Sequence, residues 1–179
     1  MASNNPEHLV FMKIALEEAK KCIPVPTAFC VGCVVVVPVR LTTGVEEKMI
    51  LSTGYSRELE GNTHAEANAL AKARDRSPAE LEKFFPEGIP SGNVEELLKG
   101  ADVYTTLEPC SVRTSGLPAC ADALVDAQIR RCYIGVAEPD DFVECEGAEK
   151  LNRSGVEVVW LKGLERECLD TARGGSLIR

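Results

Sequence analysis

The chain has 179 residues, enough for one domain with a single sizeable core. Its 45% hydrophobic and 27% charged residues are the balance of a globular protein, which excludes disordered and fibrous classes. Lys plus Arg number 20 against 28 Asp plus Glu, and the net charge of -8 repels a polyanion such as tRNA, which disfavours a nucleic-acid partner.

Asn4 or Asn5 as cap and Pro6 in the first turn begin a helix in which Leu9, Met12, Leu16 and Ala19 recur at helical spacing to about Lys21. FCVGCVVVVPV reads as a central strand ending at Pro38, with EKMILSTGYS as its hairpin partner across a turn around Gly44. HAEANALAKARD is an Ala-rich second helix with Thr63 or Asn62 available as cap. Residues 76–100, rich in Pro, Gly and acids, are expected to form short helical pieces joined by loops. ADVYTTL, IRRCYIGV and VEVVWL then read as strands that alternate with the helices PACADALVDAQ and GAEKLNRSG. Strand, helix and strand in such short succession imply parallel neighbours joined by crossover helices. With the hairpin, the expected fold is α/β, a three-layer α-β-α arrangement around a mixed sheet of about five strands. No repeat, linker or low-complexity segment divides the chain, so one domain is expected over 1–179, with a core over about 6–172 and a tail at 173–179.

No apolar run reaches the roughly 18 residues that a membrane span needs. The opening MASNNPEHLVFMKIALEEAKKC mixes acids and lysines through its apolar positions, unlike a signal peptide, so a cytoplasmic protein is expected. In that setting the 8 cysteines read as buried thiols and metal ligands.

The segment NTHAEANAL places His64 and Glu66 two apart at a helix start. At roughly 100° per residue they cannot share a side face, so they converge only beyond the helix N-terminus. A metal held there would bind His64 while Glu66 reaches a metal-bound water, and the positive helix end would favour hydroxide. Alone, the pair also reads as a solvated histidine and an acid favoured in a first turn. TLEPCSVRTSGLPACADAL shifts the balance: Pro109-Cys110 follows a strand and Cys120 opens the next helix, where thiolates are favoured. One His with two Cys leaves the fourth zinc position open to water, as catalytic sites do. Zinc deaminases carry H-x-E followed by P-C-x-x-C. Here nine residues, 111–119, separate the two cysteines.

HAEANAL and TLEPCSVRTSGLPACADAL, with VGCVVVV before them and GAEKLNRSGVEV after, resemble the pyrimidine deaminases of riboflavin biosynthesis from about Leu9 to Val159. Bacterial members also carry a long insertion between the zinc cysteines, a Pro-Asn-Pro stretch before the first strand and a following reductase domain. Here SVRTSGLPA and VPTAFC stand at the first two places, closer to the fungal type. The fungal-type substrate is the already reduced 2,5-diamino-6-(ribitylamino)-4(3H)-pyrimidinone 5'-phosphate. A chain ending at Arg179 is expected to be a stand-alone deaminase.

The resemblance implies a cytidine-deaminase-like fold, Zn2+ held by His64, Cys110 and Cys120, and Glu66 as the proton shuttle. It also implies a 5-amino-uracil product, ammonia, and a homodimer. Ser111, Arg113, Thr114, Ser115 and Gly116 lie beside the metal ligands as donors suited to ribityl hydroxyls or phosphate, an exposed polar loop being the alternative. Thr27, Ala28 and Phe29 occupy the family's pyrimidine-binding stretch. Asn62 is placed to bond substrate or backbone, with helix capping preferred.

Cys30, Cys33 and Cys132 lie in apolar segments as small core residues, while Cys22, Cys145 and Cys168 lack a partner pattern. His8 reads as a surface residue and not as a fourth ligand. Three other functions compete. They are deamination of the ribosylamino compound of the bacterial route, tRNA adenosine deamination, and a structural zinc module. The acidic balance and the cysteine gap disfavour the second, and the lack of an obvious fourth protein ligand disfavours the third.

Overall fold

Asn5 opens the first helix, α1 (Pro6–Ala19), its side chain accepting the Glu7 N–H at 3.0 Å with Pro6 in the first turn. This computed structural model describes residues 2–3, 5–40, 43–85, 93–113, 116–139 and 146–175. Cys145, Thr114, Ser115 and the end of the tail at 176–179 lie outside the described residues.

The strands are β1 (Ala2–Ser3), β2 (Gly32–Arg40), β3 (Glu46–Tyr55), β4 (Asp102–Leu107), β5 (Arg131–Val136) and β6 (Glu157–Leu161), in the spatial order β1-β6-β5-β4-β2-β3. β2 runs antiparallel to both β3 and β4, and the remaining neighbours are parallel. The mixed sheet is therefore the expected one, with a two-residue edge strand added where Ala2 and Ser3 pair with Trp160 and Leu161. Two residues carry no periodicity, so nothing in the sequence announces that edge.

β2 does not end at Pro38. It continues to Arg40, with Pro38 opposite Lys48, because β4 pairs only with Cys33–Val36 and asks for no ladder N–H at Pro38. Gly44 turns the hairpin at φ 82, and a bulge opposite Val35 and Val36 leaves buried Leu51 as the extra residue on β3.

The helices after α1 are α2 (Ala65–Arg74), α3 (Pro78–Leu81), α4 (Val94–Lys99), α5 (Cys120–Asp126), α6 (Gly147–Arg153) and α7 (Glu165–Ala172), with a 3-10 turn at Glu82–Phe84. Residues 76–100 are thus short helical pieces as expected, apart from 86–92, which are not described.

Period-two alternation splits each strand between the faces. Cys33, Val35, Val103, Cys132, Ile134 and Val158 pack with Leu70, Leu98, Leu124 and Leu151 of α2, α4, α5 and α6. Val34, Val36, Tyr104, Tyr133 and Val159 pack with Met12, Leu16 and Cys168 of α1 and α7. The sheet is covered on both faces, and each fully buried Leu or Ile contributes about 1.5–3 kcal/mol. Among the described residues no helix is long and apolar enough to cross a membrane.

His8 corrects the surface expectation. It is 9% exposed, with Nδ1 2.8 Å from the Tyr104 hydroxyl, Nε2 3.3 Å from the Tyr133 hydroxyl, and its ring stacked on Tyr133. Burial holds its pKa below the ordinary value, so a neutral imidazole bridges the two phenols.

Gly54 sets the depth of α2. A Cβ there would stand 2.4 Å from Ala65 O and 2.6 Å from Ala69 N, and beside it Ser52 Oγ donates to Ala69 O at 2.7 Å. Strand and helix therefore touch backbone to backbone below the residues that begin α2. Gly54→Ala is expected to push α2 outward and to destabilise the fold by about 1–3 kcal/mol, read as a lowered melting temperature. An unchanged melting temperature would contradict this packing.

Candidate metal and catalytic site

The strand β4 ends at Leu107, and the chain turns through Glu108 and Pro109 to Cys110. Glu108 anchors that turn from inside: its N–H donates to Val136 O at 3.0 Å, and its carboxylate accepts the Ala148 N–H at 2.8 Å in the first turn of α6. The Cys110 loop is tied to the start of α5 as well, because Cys120 N–H donates to Cys110 Sγ at 3.3 Å and Ala121 N–H to Cys110 O at 3.1 Å.

His64 is the residue before α2, extended at φ -96 and ψ 157. It is therefore off the helical lattice, which frees its ring to turn towards the sulfurs. His64 Nδ1 stands 3.5 Å from Cys110 Sγ and 3.4 Å from Cys120 Sγ, and the three donor atoms all lie within 4.8 Å of one another. No second cluster of His, Cys, Asp or Glu suited to a metal occurs among the described residues. Two sulfurs and an imidazole nitrogen are a donor set that suits zinc, and three protein ligands leave one tetrahedral position for water or substrate.

The cluster favours charged sulfur. The Cys110 thiol is pulled down to about 4, first by the hydrogen bond from Cys120 and then, against burial, by the one from His64. Cys120 is pushed up because it gives that hydrogen bond, and His64 is raised by its bond to Cys110. Glu66, 3% exposed, is raised first by burial and then by the charge on Cys110.

Thr105 explains how such a carboxyl is held. Its Oγ1 lies 3.1 Å from Glu66 Oε1 and 2.9 Å from Leu107 O, and a hydroxyl has one proton to share between them. A charged Glu66 accepts that proton, while a protonated Glu66 donates to the same oxygen as Thr105 turns to Leu107. The contact therefore survives both protonation states.

The capping expectation is overturned. His64 caps α2 without a side-chain bond, so neither Asn62 nor Thr63 takes that place. Thr63 Oγ1 instead donates to Leu59 O at 3.0 Å and accepts Asn68 Nδ2 at 3.0 Å, and Asn62 offers its carbonyl to Arg113 Nη2. Arg113 Nε is buried with no hydrogen-bond partner, and the Arg113 charge opposes, without reversing, the rise of His64. Arg113 therefore stands beside the cluster with an unused donor. Ser111 Oγ accepts the Glu146 N–H at 3.3 Å and Ser111 O accepts Lys150 Nζ at 3.3 Å, which fastens this loop to α6. Ser115 lies outside the described residues.

In the connection from α1 to β2, Thr27 lies within a bridge between Val25 and Ala28, and Phe29 follows it. Gly32 pairs with Tyr55 at the end of β3, and Cys33 pairs with Thr105. That connection thus enters the sheet at the end of the strands where His64, Glu66 and Cys110 gather. Cys30, Cys33 and Cys132 are buried, as expected of core residues, and so are Cys22 and Cys168. Sequence reasoning missed Thr105, which the strand alternation that sets it on the face of Val103 could have found.

The family model of the cytidine and deoxycytidylate deaminase zinc-binding region matches residues 5–136. A diaminohydroxyphosphoribosylamino-pyrimidine deaminase of Schizosaccharomyces pombe is 38% identical over 168 residues, 94% of this chain and 35% of the relative. The riboflavin biosynthesis protein RibD of Aquifex aeolicus is 33% identical over 152 residues, 83% of this chain and 33% of the relative. The chain spans about a third of the length of the curated relatives it matches. Among solved structures, the Rib2 deaminase of Aspergillus oryzae in complex with DARIPP, a C-terminal deletion mutant, matches with a TM-score of 0.72 and 32% identity, covering 94% of this chain and 91% of that one.

Proposed function

The chain belongs to the cytidine and deoxycytidylate deaminase family, and from that premise we propose that it is a single zinc-dependent deaminase domain of riboflavin biosynthesis. The substrate in this proposal is the ribitylamino form of the diaminopyrimidinone phosphate, which loses an exocyclic amine as ammonia and gains a carbonyl at the same ring carbon. One observation carries it: the convergence of His64, Cys110 and Cys120 donors within 4.8 Å, beside the buried Glu66.

Zinc bound by these three side chains would supply Lewis acidity that brings the pKa of a bound water towards about 7. The chain's own residues do the rest. Glu66 takes one proton of the attacking water at its carboxylate and gives it to the ring nitrogen, then takes the second from the hydroxyl now on the ring carbon and gives it to the amine, so that the C–N bond breaks as the carbonyl forms. Its raised pKa brings acid and base forms closer in energy, and Thr105 stays in contact with both. The N-terminus of α2, without a side-chain cap, turns its positive end towards the charge that develops there.

Arg113 is the proposed phosphate contact, supported by its unpartnered Nε and its place beside His64. Arg113→Ala is expected to raise KM about tenfold for the phosphorylated substrate and far less for its dephosphorylated analogue. Equal effects on both would remove Arg113 from the phosphate site. Ser111 and Ser115, with Thr27, Ala28, Phe29 and Asn62, complete the proposed substrate contacts.

The ribosylamino compound is the second reading, favoured by the name of the Schizosaccharomyces pombe relative. The fungal-type stretches SVRTSGLPA and VPTAFC support the ribityl form. Rates of ammonia release from the two compounds side by side, with cytidine and tRNA as controls, decide between them. Preference for the ribosyl form would overturn the substrate, and turnover of cytidine or tRNA alone would overturn the pathway. A cytoplasmic homodimer is part of the same proposal, and light scattering of the purified protein tests its assembly.

A further inference from the structure

Arg57 stands at φ 62, a left-handed conformation that a long side chain keeps only where its surroundings over-determine it. The surroundings here do so on both sides. Arg57 N–H donates to Thr63 O at 2.7 Å, and the preceding residue ties the strand ends together through Ser56 N–H to Val31 O at 2.9 Å and Val31 N–H to Ser56 Oγ at 3.0 Å. From that fixed backbone the guanidinium reaches across to the connection between α1 and β2. Nη1 donates to Phe29 O at 3.3 Å and Nη2 to Ile23 O at 2.9 Å, with Nη2 also 2.7 Å from Cys22 Sγ and 3.7 Å from Cys30 Sγ. One side chain thus grips both ends of the 23–29 segment.

The grip points at the site. The residue after this segment's end, Cys30, leads into β2, whose Gly32 N–H donates to Thr106 Oγ1 at 3.1 Å and whose Cys33 pairs with Thr105, the contact of Glu66. The other end of the clamp is the turn that runs through Thr63 to His64. A right-handed conformation at position 57 would redirect both the N–H and the Cβ, so the bond to Thr63 and the bonds to Ile23 and Phe29 could not all persist. A lysine cannot replace the fork either, because one ammonium does not span two separated carbonyls and two sulfurs as a planar guanidinium does.

We propose that Arg57 is a positioning residue for substrate: it locks the 23–29 segment, as one wall of the site, onto the turn that carries His64. The proposal rests on the deaminase reading above and deepens it. A wall left loose must be ordered when substrate binds, and that ordering is drawn from binding free energy. The loss of the clamp therefore falls on KM, while zinc and Glu66 keep their places.

Two variants test this in the zinc-loaded protein. Arg57→Gly accepts the positive φ without steric cost and removes the clamp, and Arg57→Lys keeps the charge but not the fork. Both are expected to raise KM for the ribityl diaminopyrimidinone phosphate about tenfold, with kcat and bound zinc close to wild type. Amide hydrogen exchange is expected to accelerate within 23–29 in both. An unchanged KM, a loss confined to kcat, or unchanged exchange in 23–29 would overturn the proposal, and Arg57→Lys decides if Arg57→Gly fails to fold. Should the wild-type protein release no ammonia from any pyrimidine, the deaminase reading fails by itself, and exchange of 23–29 still decides whether Arg57 is the clamp.

Discussion

Glu66→Gln is expected to keep a full complement of zinc and to lose at least about a thousandfold in kcat. Glutamine has the same shape and, like either form of the carboxyl, bonds the Thr105 hydroxyl that lies 3.1 Å from Oε1. The buried packing around position 66 is therefore kept, and no metal ligand is removed. What disappears is the proton carrier. Burial, followed by the charge on Cys110, raises the carboxyl and so brings its two protonation states within reach of each other, and an amide has no equivalent. Metal analysis together with turnover on one preparation checks the expectation. Retained turnover would refute the role of Glu66, and lost zinc would mean that the residue serves the metal.

Cys110→Ser is the second large effect. It is expected to weaken zinc binding by more than about a hundredfold and to abolish turnover at ordinary zinc concentrations. The Cys110 thiol is drawn down to about 4 by its bonds from Cys120 and His64, so a thiolate is available across the neutral range. A serine hydroxyl in the same place stays protonated and offers a weak neutral oxygen in place of a soft anion. The fold is expected to survive, because the clusters that hold the sheet between its helices do not include Cys110. Zinc content after dialysis and a thermal melt separate the two outcomes. Full occupancy would show that the ligand set is wrong.

The parts of the protein legible in its sequence are those written in short-range pattern. The cap at Asn5, the alternating strands and the helices between them need only local periodicity, and the parallel pairing of β4, β5 and β6 follows from short crossovers. The metal cluster was legible because His64 and Cys120 each sit at a helix start and Cys110 follows the end of a strand, an arrangement that the residue types themselves suggest.

What escaped is tertiary. His8 lies one helical turn before Met12, on the same buried face of α1, and a reading of that spacing places it inside; its partners Tyr104 and Tyr133 are 96 and 125 positions away and carry no local mark. The cap of α2 was misread because Asn62 and Thr63 have strong capping chemistry, whereas His64 holds the position with its ring committed to the sulfurs. Arg57 depends on a backbone conformation that its residue type disfavours, which no propensity scale reports.

The most direct test of the account is to incubate the zinc-loaded protein and its Glu66→Gln variant with the ribityl diaminopyrimidinone phosphate in heavy-oxygen water, counting ammonia and labelled product together. The account predicts equal amounts of ammonia and of product carrying solvent oxygen from the wild type, and neither from the variant. No ammonia from the zinc-loaded wild type, or equal turnover after zinc is stripped, would contradict it.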